Sequence, residues 1–212
     1  MKVFIIPGYH LPDDISRDEG YNKYFTFASS KILKLSGNEK ALVILSGGNI
    51  DMDEPFDRVL SIEMKRCFIS FVAKYNLNCV IETEEKSLSS LENLLYSKEI
   101  IDKYKADYEI FIFSDLQRSK RTKVTADRLF NKYELLTIDL SQNEERQNQE
   151  IVDKKEELAI KFSLWALENK NNLNEFIKIY KDKFTYLRSV SSDKRKEAEI
   201  EWWKKMIAKS QN

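Results

Sequence analysis

The sequence predicts a doubly wound α/β fold: a mostly parallel, five-stranded sheet with helices on both faces, followed by an α-helical extension. Three observations predict it. Short apolar, β-rich runs alternate with amphipathic segments of roughly 15 residues, the pattern of βαβ units. Each of the first four runs ends in a polar loop. After Leu140 the alternation stops and only helical periodicity continues.

Lys2 to Ile6 reads as a buried strand that stops at Pro7-Gly8, which cannot extend regular pairing. Asp13 to Gly20 is polar and reads as a surface loop, followed by a helix from Tyr21 to Leu35 that ends at Gly37-Asn38. Ala41 to Leu45 is the second strand, and Ser46-Gly47-Gly48-Asn49 follows it directly. An acidic stretch (Asp51, Asp53, Glu54, Asp57) leads into a helix ending near Tyr75, with Leu60, Met64, Cys67, Phe68, Phe71 and Val72 as its apolar stripe. Glu63 shares the face of Cys67 and Phe71, so its carboxylate is expected to be paired or turned towards a cleft. Asn78 to Glu82 is a third strand, and Leu91, Leu94, Leu95, Ile101 and Tyr104 give the helix after it. Glu109 to Phe113 is a fourth strand, a helix runs on to Phe130, and Glu134 to Ile138 is a fifth. Beyond it, residues 141–150 are polar. Helices are then predicted over Ile151 to Glu168, Leu173 to Leu187 and Asp193 to Lys209, with a break at Asn171-Asn172. The domain division expected is 1–140 for the sheet domain and 141–212 for the extension, which packs on that domain or forms a homodimer contact.

Composition excludes several classes. Lysine plus arginine and aspartate plus glutamate number 35 each, so net charge gives no support for nucleic-acid binding. Trp202-Trp203 has no dense basic groove beside it and reads as core or interface. The one histidine, His10, excludes chemistry built on several. Cys67 and Cys79 lie in apolar runs and read as free thiols of a reducing compartment. No apolar run reaches the roughly 18 residues of a membrane span, and Val3 to Ile6 is too short for a signal peptide. A cytoplasmic protein is expected. The acidic stretch lacks the spacing of an EF-hand loop and reads as a solvated loop, so no metal site is assigned.

In parallel α/β sheets, ligands bind beyond the carboxyl ends of the strands. Gly8 and His10, then Ser46 to Asn49, then Ser87, Ser89, Ser90, Glu92 and Asn93, then Ser114, Gln117, Arg118 and Arg121 each follow a strand and therefore share that edge. Two readings of Ser87 to Asn93 stand side by side. Ser89 and Glu92 form a capping box, S-x-x-E, that satisfies backbone donors, or the same groups face a ligand on the positive end of the helix. Arg118, Lys120 and Arg121 are cations at a helix start, where the macrodipole disfavours them unless an anion lies between them and the helix amides.

Pro7-Gly8, Ser46-Gly47-Gly48, Glu63, Ser87-x-Ser89-Ser90-x-Glu92-Asn93, and Ser114 with Arg118 and Arg121 resemble the signature of the ElyC/SanA/YdcF family of Rossmann-like domains. That family carries a strand ending in SGG, a helical Glu, S-x-N-T-x-E-N and T-S-x-x-H-x-x-R. Ser89 and Ser90 stand in place of its Asn and Thr. Gln117 stands where it has His, and cannot act as acid or base near neutral pH. Arg121 matches its Arg with one inserted residue, and Arg118 competes for that match. The resemblance spans residues 1–140. It implies a site for a phosphorylated or nucleotide-like small molecule. Many relatives are anchored to membranes, whereas no anchor is expected here.

The reading is of a protein that binds such an anion with Gly8, Ser46, Gly47, Gly48, Asn49, Ser87, Ser89, Ser90, Asn93, Ser114, Gln117, Arg118 and Arg121. If it is a hydrolase or transferase, Glu63, Glu92 or His10 does the proton chemistry. One alternative is S-adenosylmethionine, held by carboxylates such as Glu63 and Glu82. Another is a non-catalytic interaction module working through the helical extension. The residues name no cofactor, and dinucleotides are disfavoured because G-x-G-x-x-G is missing.

Overall fold

The computed structural model describes residues 1–104, 107–140 and 149–209. It is an α/β protein whose five strands are all parallel. The elements are β1 (Lys2–Pro7), α1 (Glu19–Ser36), β2 (Ala41–Ser46), α2 (Leu60–Tyr75), β3 (Cys79–Glu84), α3 (Ser90–Asp102), β4 (Glu109–Asp115), α4 (Ser119–Leu129) and β5 (Glu134–Ile138), then α5 (Gln149–Ala166), α6 (Lys170–Ser189) and α7 (Arg195–Lys209). The strand order is β3-β2-β1-β4-β5. The chain thus builds outward from β1 to β3, then returns past β1 to lay down β4 and β5. That reversal opens a crevice between the carboxyl ends of β1 and β4.

Alternation along each strand sorts the core into two layers. Phe4, Ile6, Val43, Leu45, Phe111 and Phe113 pack with Tyr21, Tyr24 and Phe25 of α1 and Met64 and Phe68 of α2. Val3, Ile5, Leu42, Ile44 and Ile112 pack with Leu94 and Ile101 of α3 and Ala126 of α4. β1 and β2 are covered on both faces, which is why their sequences are continuously apolar. β3 is an edge strand and leaves Val80 exposed.

Several boundaries differ from the sequence reading. Pro7, expected to end the pairing of β1, still pairs with Ser46 of β2, because an amide-less residue keeps its place at the last position of a strand, and Gly8 N–H donates to the Ser46 carbonyl. β4 runs on to Asp115, two residues past the predicted end. The loop predicted to reach Gly20 stops at Asp18, because Asp18 Oδ1 accepts the Tyr21 amide at 2.7 Å and caps α1. β3 runs on to Glu84, two residues past the predicted end, in register with Ser46 of β2. The predicted break at Asn171-Asn172 lies inside the first turn of α6, which Asn169 caps by accepting the Asn172 amide. Of the polar run expected at 141–150, positions 141–148 lie outside the described residues.

The chain divides into two compact units, one of Met1–Asp51 with Asp57–Leu140, the other joining Met52–Phe56 to the helices that follow Leu140. In the second unit the Phe56 ring packs against the guanidinium groups of Arg188 and Arg195, and Arg195 also donates to the Met52 carbonyl. Lys183 is buried there among Phe184, Trp202 and Trp203 and donates to Glu199 at 2.7 Å. Burial alone would raise the Glu199 carboxyl, but the charge and hydrogen bond of Lys183 outweigh it and hold it below the usual range. Cys67 and Cys79 are free and half-buried, and burial pushes both thiols up. Among the described residues no helix is long and apolar enough to cross a membrane.

Candidate functional site

The loops after β2 and β3 are fastened to each other. Ser46, at the end of β2, donates through Oγ to Glu84 Oε2 at 2.6 Å, and the other oxygen of Glu84 accepts the Lys86 and Ser87 amides at 2.6 and 3.0 Å. The Ser87 hydroxyl donates to the Asn93 carboxamide oxygen, 3.2 Å from Ser46 Oγ. Ser46, Glu84, Ser87 and Asn93 are all buried. Buried polar groups are costly unless paired, and these four pair with one another and with the Lys86 and Ser87 amides.

The glycine pair serves the same fastening. Gly47 N–H donates to the Glu84 carbonyl at 3.0 Å and Gly48 N–H to the Ser87 carbonyl at 2.8 Å. Their carbonyls face the other way: Gly48 O accepts the Leu60 amide and Gly47 O the Ser61 amide, so main-chain oxygens cap α2 where Val59 supplies no side-chain cap. A Cβ on Gly48 would lie 2.3 Å from the Ser87 carbonyl oxygen and 2.8 Å from the Lys86 carbonyl carbon, both rigid backbone. The space between the two loops admits only glycine.

Ser89 and Glu92 close the start of α3. The Ser89 hydroxyl accepts the Glu92 amide at 3.2 Å and donates to Glu92 Oε2, which also accepts the Leu88 amide at 3.1 Å. Glu92 is 1% exposed. Glu63 pairs with Arg66 on the surface of α2. The Asn49 carboxamide oxygen accepts the Asp51 amide, and Asp51 is buried against Arg58. His10 packs against Tyr9 and lies 3.4 Å from Asp18.

Four of the predicted residues, Gly8, Ser90, Ser114 and Arg118, meet at the crevice between β1 and β4. A cleft there is lined by Gly8 and Tyr9 beyond β1, Ser90 and Leu94 of α3, Ser114 and Asp115 at the end of β4, Arg118 beyond it, Thr122 of α4, and Tyr24 of α1. Its cavity volume is about 20 Å³, which seats a water-sized or slightly larger group, not a nucleobase. Arg118 spans the crevice and donates from Nη1 to the Tyr9 carbonyl at 2.8 Å. On the floor, the Ser114 and Thr122 hydroxyls lie 3.0 Å apart, both buried. Asp115 Oδ1 accepts the Leu140 amide at 3.1 Å. Tyr24 donates to the Pro7 carbonyl at 3.2 Å, and burial holds its hydroxyl well above the ordinary tyrosine range, so it stays a neutral donor. Tyr9 is likewise raised, first by burial and then by Asp18.

Of the predicted residues, Gly8, Ser90, Ser114 and Arg118 line this cleft. Ser46, Gly47, Gly48, Ser87 and Asn93 fasten the neighbouring loops, Ser89 and Glu92 cap α3, and Gln117 and Arg121 are half-buried but not on the cleft wall. Sequence reading missed Asp115, Thr122 and Tyr24 as lining residues and Glu84 as the centre of the loop fastening. A longer β3 was the one available signal for Glu84, since alternation from Val80 and Glu82 places Glu84 on the same face. Among the described residues, no three His, Cys, Asp or Glu side chains are placed to hold a metal ion. Comparisons with family models, curated proteins and solved structures return no match.

Proposed function

We propose that this is an ElyC/SanA/YdcF-like protein that binds a phosphorylated or nucleotide-like small molecule at the crevice between β1 and β4. The observation that carries the reading is the convergence of Arg118 with the hydroxyls of Ser90, Ser114 and Thr122 on one cleft at the point where the strand order reverses. A guanidinium beside uncharged hydroxyls is the chemistry that recognises oxyanions, with Ser90 as the hydroxyl donor. Arg118, rather than Arg121, is then the counterpart of the family arginine. The fastened loops beside the cleft hold the α3 start, and with it Ser90, in a fixed position. Proton chemistry is not assigned to Glu92 or Glu63, whose carboxylates serve a helix cap and a surface ion pair.

A thermal-shift screen of nucleotides, sugar phosphates and S-adenosylmethionine tests the proposal. A ligand at about 100 times its dissociation constant stabilises the protein by roughly 2.7 kcal/mol. Phosphorylated compounds are expected to stabilise the wild-type protein and to lose that effect in Arg118→Ala. S-adenosylmethionine acting alone would instead support the alternative ligand, with Asp115 as the carboxylate on the wall. Stabilisation by none of these compounds overturns the proposed site.

A further inference from the structure

Resting on the proposed anion site, we infer that the cleft selects a phosphomonoester carrying one proton, and that Asp115 rejects the isosteric sulfate ester. The cleft wall holds one guanidinium, Arg118, and one carboxylate, Asp115, beside hydroxyls of Ser90, Ser114 and Thr122. A site built to hold a fully deprotonated oxyanion gains nothing from a carboxylate on its wall. Lone pairs would face lone pairs there, with a repulsion that a small cleft strengthens. The singly protonated phosphomonoester differs in one respect: its P–OH donates a hydrogen bond, and a carboxylate is the strongest acceptor a side chain offers.

The geometry leaves Asp115 able to accept it. The Leu140 amide is bonded to Oδ1, which fixes the carboxylate and leaves Oδ2 for a second donor. The hydroxyl floor adds to the preference. Ser114 Oγ lies 3.0 Å from the Asp115 carbonyl oxygen and 3.0 Å from Thr122 Oγ1, and a hydroxyl has one proton. If Ser114 donates to the carbonyl, Thr122 donates to Ser114, and the floor keeps acceptor lone pairs for a ligand proton. Tyr9 and Tyr24, the other titratable groups lining the cleft, keep their protons because burial raises both. Arg118, which keeps its bond to the Tyr9 carbonyl, supplies the positive charge for the unprotonated oxygens, and a cavity of about 20 Å³ takes the phosphoryl head while the organic part lies outside.

Methyl phosphate and methyl sulfate isolate the proton. Below the second phosphate pKa of about 6, both are monoanions of the same shape, and only the phosphate ester carries an O–H. In a titration of the full chain followed by NMR at pH 5.5, methyl phosphate should bind about 10-fold more tightly than methyl sulfate, the size of one mismatched buried hydrogen bond. Asp115→Asn, which keeps an oxygen for the Leu140 amide, should bring that ratio close to one, and Arg118→Ala should weaken both esters. Equal binding of the two esters by the wild-type protein overturns the inference, and that comparison needs no variant. So does a ratio that Asp115→Asn leaves unchanged. Ribose 5-phosphate in the same titration separates the two levels of argument. If it binds while the methyl esters are not distinguished, the anion site stands and the proton selection fails; if it and both esters fail to bind, the anion site itself falls.

Discussion

Two polar regions lie side by side on the carboxyl edge of the sheet, and they differ in what their polar atoms are doing. Beyond β2 and β3, Ser46, Glu84, Ser87 and Asn93 are buried and turned on one another and on the main chain. At the crevice between β1 and β4, Arg118, Asp115 and Ser90 line a cleft. In the first region the hydroxyls and carboxylate hold chain segments together; in the second the same kinds of group line a cleft. Motif residues that look equally suited to ligand binding in sequence are therefore divided by the fold into a fastening and a candidate recognition surface.

That division is most severely tested at Glu84. Glu84→Ala would leave the Lys86 and Ser87 amides without their acceptor and break the short bond from Ser46, and the expected loss of stability is about 4 kcal/mol, since hydrogen bonds to charged groups are the costly ones to break. Urea denaturation measures it, and a loss under about 1 kcal/mol would show that the four residues do not act together. Gly48→Ala should cost about 3 kcal/mol, because its Cβ would be forced against backbone rather than a yielding side chain. The same denaturation curve, with an unchanged slope, is the readout.

On the cleft side the signs differ. Arg118→Ala should change stability by less than about 1 kcal/mol, the range for partly exposed charged groups, while weakening phosphomonoester binding at least 10-fold by calorimetry, as expected for a charge-assisted contact. A large stability loss with unchanged binding would move Arg118 into the fastening. Between the two regions, Ser89→Ala should remove about 1 kcal/mol, the worth of an N-cap, and leave ligand affinity within a factor of about three; a greater affinity loss would make the α3 cap part of the site. The smallest effect is expected from Glu63→Gln, under about 0.5 kcal/mol, because its i,i+3 partner Arg66 is mostly solvated. A Glu63→Gln protein with normal stability but no ligand binding would reinstate that carboxylate as a functional group.

The sequence reading of the site was partial for a physical reason. Ser89 and Glu92 were legible as a capping box because a cap is local, made within one turn of chain. Gly48 stood out in the sequence as half of a glycine pair directly after a strand, but the backbone that approaches it, Lys86 and Ser87, did not. Glu84 and Asp115 were missed because their importance depends on partners far along the chain, Ser46 in one case and Leu140 in the other. The attachment of Met52–Phe56 to the helices beyond Leu140 was likewise invisible, since Phe56 meets Arg188 and Arg195 only through folding.

The sequence by itself determined the element order, the parallel sheet, the two-sided burial of β1 and β2 and the edge on which polar residues gather, because hydrophobic period, caps and breakers act over a few residues. Only the tertiary structure decided which of those gathered residues bind each other and which line a cleft. Strand order brings β4, not β2, to the open side of the crevice, and a hydrogen bond between loops depends on register and distance that no single stretch of chain encodes.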